Sequence, residues 1–334
     1  LASLHHSIGI ICWKEGNTKE AIEHLDISLK NRIQENNKEG IANTYNVFGA
    51  IYFNTGNYSK AFKSFKQSFE IYNKLDDDGG KARALDNLGV IDTINNNFNH
   101  ALRHYQKSIQ IYKKLDDKRG IALDLANLGI LYYKIGKFET ALKNYYEGLE
   151  LSKKLNIKYA ISDLLNNIGV ILREKNEFSE ALDYHLKSLK IKKEIEDKLG
   201  IIHSMIHLGI DYYKMENYKS SILNLTDAIK RIDEIGINDS SLMLEVKTYL
   251  YLSYKASGKN YNHKEIYNLS EEVSNIQFDL SYYIYLLLED EIYLEKSHNL
   301  IREMEKNLNE DEKKELSKHP ILKVIKNEWE KICT

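Results

Sequence analysis

Apolar and polar positions follow a helical period along this chain, and the helical pattern itself recurs every 40 residues. Gly9, Gly49, Gly89, Gly129, Gly169 and Gly209 are 40 apart, each preceded by Ile8, Phe48, Leu88, Leu128, Ile168 or Leu208. Twelve residues after each glycine stands Ala21, Ala61, Ala101, Ala141, Ala181 and then Ser221. Sixteen after it come Leu25, Phe65, Tyr105, Tyr145, His185 and Leu225, and nineteen after it Ser28, Ser68, Ser108, Gly148, Ser188 and Ala228. Chance does not hold such a register through six units.

Each unit reads as two helices. In the fourth, Leu125, Leu128, Gly129 and Tyr132 occupy one face at i, i+3, i+4, i+7. Gly136 then offers a left-handed stop. Phe138, Ala141, Leu142, Tyr145 and Leu149 mark a second helix, and the short link makes the two antiparallel neighbours. Gly129 and Ala141 are expected to let the two backbones approach. Asp116-Asp117 sits where an N-cap is needed. A lone hairpin cannot bury both apolar faces, so successive hairpins must stack. The expected fold is all-α, a right-handed α-α superhelix. Six regular hairpins cover 1–38, 39–78, 79–118, 119–158, 159–198 and 199–238, within 1–240. A degenerate seventh follows over 241–280, around Tyr254, Ala256, Gly258, Tyr261 and Ile266, with capping helices over 281–334. In that last region the pattern predicts two helices, about 281–306 and 311–332, disturbed by Asn309 and Pro320.

The motif Leu128-Gly129, Tyr132, Gly136, Phe138, Ala141, Tyr145 resembles the tetratricopeptide repeat, whose usual period is about 34 residues. The spacing here is similar to its longer-helix variant, found in cell-polarity adaptors and bacterial peptide-sensing regulators. The resemblance covers residues 1 to about 240. It implies a scaffold that holds other proteins and performs no catalysis. The stretch from Tyr293 through Trp329 also resembles tails that close the helical-repeat regions of bacterial multidomain signalling ATPases and cyclases. That likeness, and a start at Leu1 inside a repeat, raise an alternative: the regulatory arm of a larger signalling enzyme.

The resemblance further implies that a second stripe on each first helix lines a concave groove. In the fourth unit the stripe is Leu123, Ala126, Asn127, Ile130, Tyr133 and Lys134. Through the array it gives one ladder of Asn87, Asn127, Asn167 and His207, and another of Trp13, Phe53, Tyr133, Arg173 and Tyr213, with Thr93 as a gap. An Asn inside a helix costs several tenths of a kcal/mol relative to Ala. Its amide suits the backbone of an extended peptide, and aromatic rungs suit interface anchors. Two readings stand for both ladders, partner contact or packing between neighbouring helices. Arg173 would meet a partner carboxylate or pair locally with Glu174 or Asp163. The clamp by which some family members hold a terminal carboxylate is ruled out, because Ile10, Ala50, Val90, Ile130, Val170 and Ile210 follow the glycines.

Composition narrows the partner. Lys and Arg number 47 against 49 Asp and Glu, a net charge of −2, which disfavours a phosphate-binding face and leaves an RNA-binding repeat a minor alternative. The strongest apolar stretch, Tyr282 to Leu288, is too short to span a bilayer. Two cysteines at opposite ends, Cys12 and Cys333, suit a reducing, cytoplasmic setting. One proline in 334 residues permits nearly continuous helix. His203 with His207, and His100 with His104, have the spacing of helical metal ligands, yet Ser204 replaces the glutamate of a zinc protease. Gly258-Lys259 lacks the remaining residues of a phosphate loop, and Gly79-Gly80 is expected in an inter-repeat turn. No cofactor and no metal are expected. The expected partner is a protein or peptide, with no nucleic acid or membrane, and self-association through the terminal repeats is an open option.

Overall fold

The computed structural model describes residues 1–333, and among them every regular element is an α-helix. The repeats give α1 (Ala2–Lys14), α2 (Thr18–Gln34), α3 (Lys38–Asn54), α4 (Tyr58–Lys74), α5 (Asp78–Ile94), α6 (Phe98–Lys114), α7 (Lys118–Lys134), α8 (Phe138–Lys154), α9 (Lys158–Glu174), α10 (Phe178–Glu194), α11 (Lys198–Lys214) and α12 (Tyr218–Ile235). Then come α13 (Ser240–Ala256), α14 (His263–Glu272), α15 (Phe278–Leu288), α16 (Glu291–Lys306), α17 (Glu310–Leu316) and α18 (Pro320–Cys333). The chain divides into two compact units, Leu1–Leu131 and Tyr132–Thr334. Within each of them, consecutive helices pair as antiparallel hairpins that stack on their neighbours in the manner of an α-α superhelix.

Why helices stop where they do is written at every twentieth residue. Gly16, Asn36, Gly56, Asp76, Asn96, Asp116, Gly136, Asn156, Asn176, Glu196, Glu216 and Gly236 all adopt positive φ, between 51° and 86°. That conformation closes the last turn, and Gly, Asn and Asp tolerate it best. Next to it stands the N-cap of the following helix. Asp77 accepts from Gly80 N at 2.8 Å, Asp117 from Gly120 N at 3.0 Å and Asp197 from Gly200 N at 2.9 Å. So Asp116 and Asp117 divide the work, one ending a helix and one starting the next. Gly79 and Gly80 are not in a turn. Both lie in the first turn of α5, because Asp77 caps it.

The glycine of each first helix is a contact point. A β-carbon on Gly89 would stand 2.6 Å from Tyr105 Cε1, and one on Gly169 2.6 Å from His185 Nε2. The bulky row sixteen residues downstream therefore rests on bare backbone. Further along, the serine row ties the two helices of a hairpin together. Ser68 donates to Ala42 O at 3.0 Å, Ser108 to Ala82 O at 3.0 Å and Ser188 to Ser162 O at 2.8 Å. Tyr105 is 1% exposed and cannot swing aside. Gly89→Ala should accordingly cost about 1–3 kcal/mol through overpacking. Gly79→Ala meets nothing nearer than 3.5 Å and should be neutral or stabilising by up to about 1 kcal/mol through helix propensity. Thermal unfolding of the two variants separates them; equal effects would contradict this packing.

The last region departs from the expected two helices. Glu289 takes a left-handed conformation (φ 58°) and ends α15, while Asp290 accepts from Ile292 N at 3.1 Å and starts α16. Asn309 and Glu312 form a capping box that opens α17. Pro320 is the first residue of α18, a position where its missing N–H costs nothing.

Candidate functional site

In the first unit the asparagine ladder lies between neighbouring first helices. Asn87 Nδ2 donates to Asn46 Oδ1 at 3.0 Å, and Asn127 Nδ2 to Asp86 Oδ1 at 2.7 Å. The acceptors form a row of their own, three residues before the repeat glycine: Asn46, Asp86 and, in the second unit, Asn166. That row is hard to read in the sequence, because each residue looks unremarkable until adjacent repeats are offset by one position. Each bridging amide spends one N–H and keeps further donor and acceptor capacity. Asn87 and Asn127 are half-buried, as are Trp13 and Phe53. The Phe53 ring meets Tyr58 edge-on at 5.8 Å. The gap at Thr93 is filled from the second helix, since its hydroxyl donates to Gly89 O at 2.8 Å and meets Tyr105 OH at 3.3 Å. Beside the amides, Leu123 is 52% exposed and Ile130 36%.

Behind Asn127 lies a pair of buried acids. Asp86 is 6% exposed and Asp124 fully buried. Burial first, and the adjacent Asp86 second, push the Asp124 carboxyl up to about 10; burial also raises Asp86. With burial and a neighbouring acid both opposing its charge, Asp124 keeps its proton at neutral pH. Nearby, His104 Nδ1 lies 3.0 Å from Asp92 Oδ2, so His104 has a carboxylate neighbour on its own hairpin.

The second unit gathers a different set. Arg173 is 9% exposed and turns to Asp211, Nη1 to Oδ1 3.2 Å; neither Glu174 nor Asp163 is its hydrogen-bond partner. His185 Nδ1 reaches the other Asp211 oxygen at 2.5 Å, and its Nε2 lies 3.2 Å from Asn166 O. His207 stacks on His185 with centroids 5.1 Å apart. Burial pulls both imidazoles below their usual range, so both stay neutral beside the Arg173–Asp211 pair. Asn167 is half-buried. Arg173 is thus committed within the protein.

The aromatic rungs of this unit are covered by the chain itself. Tyr133 stacks on Phe138 at 5.8 Å, and Phe138 meets His319 edge-on at 4.9 Å. Leu316 lies against Gly136, where a β-carbon would stand 2.8 Å from its Cα. Lys137 pairs with Glu312 at 3.8 Å, and His319 lies 3.9 Å from Glu174. From α15, Tyr283 accepts a hydrogen bond from Lys214 and packs on Tyr249 at 5.0 Å; Tyr249 meets Tyr213 at 6.0 Å. Residues expected merely to cap an end therefore return to the first hairpin of their unit. No periodicity announces contacts between positions so far apart in sequence.

Among curated proteins, none matches the sequence. Several solved structures are similar. A Rap protein complexed with competence and sporulation factor aligns at 18% identity with a TM-score of 0.65, over 93% of this chain and 81% of that one. The apo form of RapI aligns at 15% identity and TM-score 0.55, over 80% and 99%. A STAND protein with a tetratricopeptide repeat sensor from Pyrococcus horikoshii aligns at 18% identity and TM-score 0.59, over 86% of this chain; the match spans 42% of that protein's length. At these identities the likeness is one of fold. No described helix is long and apolar enough to cross a membrane. The tetratricopeptide repeat model matches residues 1–74, 40–114, 80–154 and 160–234, and with the 40-residue register and the stacked hairpins this makes the chain a member of the tetratricopeptide repeat family.

Proposed function

We propose that this chain is a non-catalytic scaffold that binds a peptide or helix of a partner protein along the stripe of its first helices. The observation that carries the reading is the mixed character of that stripe in the first unit. Exposed Leu123 and Ile130 adjoin half-buried Asn87 and Asn127, with Trp13 and Phe53 further along. Apolar anchors beside amides that retain hydrogen-bonding capacity suit a backbone laid across them. The second unit supports the reading differently. There Tyr133 and Tyr213 already serve as packing for the chain's own helices, so such a stripe is chemically able to hold helical segments. A partner on Tyr133 or Tyr213 has to compete with the packing that Phe138 and Tyr249 already supply, whereas Arg173 is held by Asp211 and His207 stacks on His185. That a Rap protein is solved with competence and sporulation factor is consistent with this class of ligand.

The test is a displayed-peptide selection against the whole chain, followed by affinity measurement on Leu123→Asp/Ile130→Asp. Both side chains are exposed, so the fold should be little affected. Losing two apolar anchors should weaken the selected peptides about 10- to 100-fold. Unchanged affinity would remove the stripe from the account.

A further inference from the structure

The first hairpin carries a cluster of side chains that the stripe does not use. Helices α1 and α2 cross closely, since a β-carbon on Gly9 would stand 2.8 Å from Leu25 Cγ. Nearby, Cys12 projects from α1 toward Glu20 and His24 on α2. Cys12 is 7% exposed. One ligand atom from each of the three, the thiol sulfur, a carboxylate oxygen and an imidazole nitrogen, lies within 4.8 Å of the other two. Glu20 and His24 are four residues apart and so share a helix face. Glu20 Oε1 is 4.0 Å from His24 Nε2. The other ring nitrogen, His24 Nδ1, lies 2.8 Å from Nδ1 of His5.

We infer that Cys12, Glu20 and His24 form a site for a divalent transition-metal ion of the zinc class, with His5 orienting His24 from behind. The donor set selects the metal. A thiolate, an imidazole and one carboxylate suit zinc, whereas calcium and magnesium take oxygen ligands. Metal–ligand bonds of about 2.0–2.3 Å place tetrahedral ligand atoms about 3.5 Å apart. The three atoms reach that spacing by closing in by little more than an ångström. Glu20, whose side chain is 57% exposed, has the freedom to supply most of it. Three protein ligands leave the fourth position for water or an external group. His5 meets the usual second need of a metal-bound imidazole, a hydrogen-bond partner that fixes which nitrogen carries the proton. Binding would fasten α1 to α2, since the ligands come from both helices.

Cobalt(II) titration of the full chain in a Cys333→Ser background tests the site, because Cys12 is then the sole thiol. The expected result is one ion per chain, a thiolate-to-cobalt charge-transfer band, and displacement by zinc. Cys12→Ser should abolish the band, and His24→Ala and Glu20→Gln should each weaken zinc binding at least about tenfold. His5→Ala should weaken it by about 10- to 100-fold while the band persists. Glu20→Gln alters an exposed side chain and keeps the test valid if the core variant Cys12→Ser fails to fold. Absence of the band, or zinc affinity unchanged in Glu20→Gln and His24→Ala, would overturn the site.

Discussion

Asp124→Asn should raise the stability of the first unit at pH 7 by about 2 kcal/mol. Its carboxyl is fully buried beside Asp86 and carries a proton up to about pH 10. In the unfolded chain the same group releases its proton near pH 4. The folded state therefore binds more protons between those values, and stability falls as pH rises through that window. Each pH unit of mismatch is worth at most about 1.4 kcal/mol, and coupling with Asp86 lowers the total. An asparagine keeps the shape and is neutral at every pH. Urea unfolding at pH 5, 7 and 9 should show the gain growing with pH. A variant less stable than the parent at pH 7 would show that the acid pair stabilises the repeat.

The opposite result is expected at Asp211. Its two oxygens serve Arg173 at 3.2 Å and His185 at 2.5 Å, in a place where Asp211 has no exposure. Asp211→Ala leaves the Arg173 guanidinium buried without its counter-ion, and such breakage costs about 3–5 kcal/mol. The pair itself is a weak source of net stability, because desolvating both charges offsets their attraction. Replacing both partners, as in Arg173→Met/Asp211→Leu, should therefore recover most of the loss. Denaturant unfolding of the single and double variants measures this. A loss under about 1 kcal/mol in Asp211→Ala would mean that Arg173 finds water or another acceptor.

The repeat register was legible because every unit must present the same small and bulky residues to its neighbours. Gly89 against Tyr105 is one instance of a rule the sequence writes in every repeat, while the bond from Ser108 to Ala82 recurs, among the described residues, only at Ser68 and Ser188. Hairpin ends were legible in part. Gly136 announced itself, whereas Glu196 and Glu289 take left-handed conformations that their residue type does not favour. Pairings across repeats were harder to read. Asn127 stands out by phase, but its partner Asp86 lies in the previous repeat and belongs to a row of mixed chemistry. For Arg173 the sequence offers a partner carboxylate or the nearby Glu174 and Asp163, while the acid it meets within the chain, Asp211, sits one repeat onward. The return of Leu316 and His319 to Gly136 and Phe138 left no periodic trace, because a contact made once carries no repeat signal.

A photo-crosslinking amino acid placed at Ile130, and separately at exposed Lys107 on α6, locates a selected peptide most directly. The account predicts crosslinks from position 130 that unlabelled peptide competes away, and none above background from position 107. Efficient crosslinking from position 107 with none from position 130 would place the partner on the second helices and contradict it.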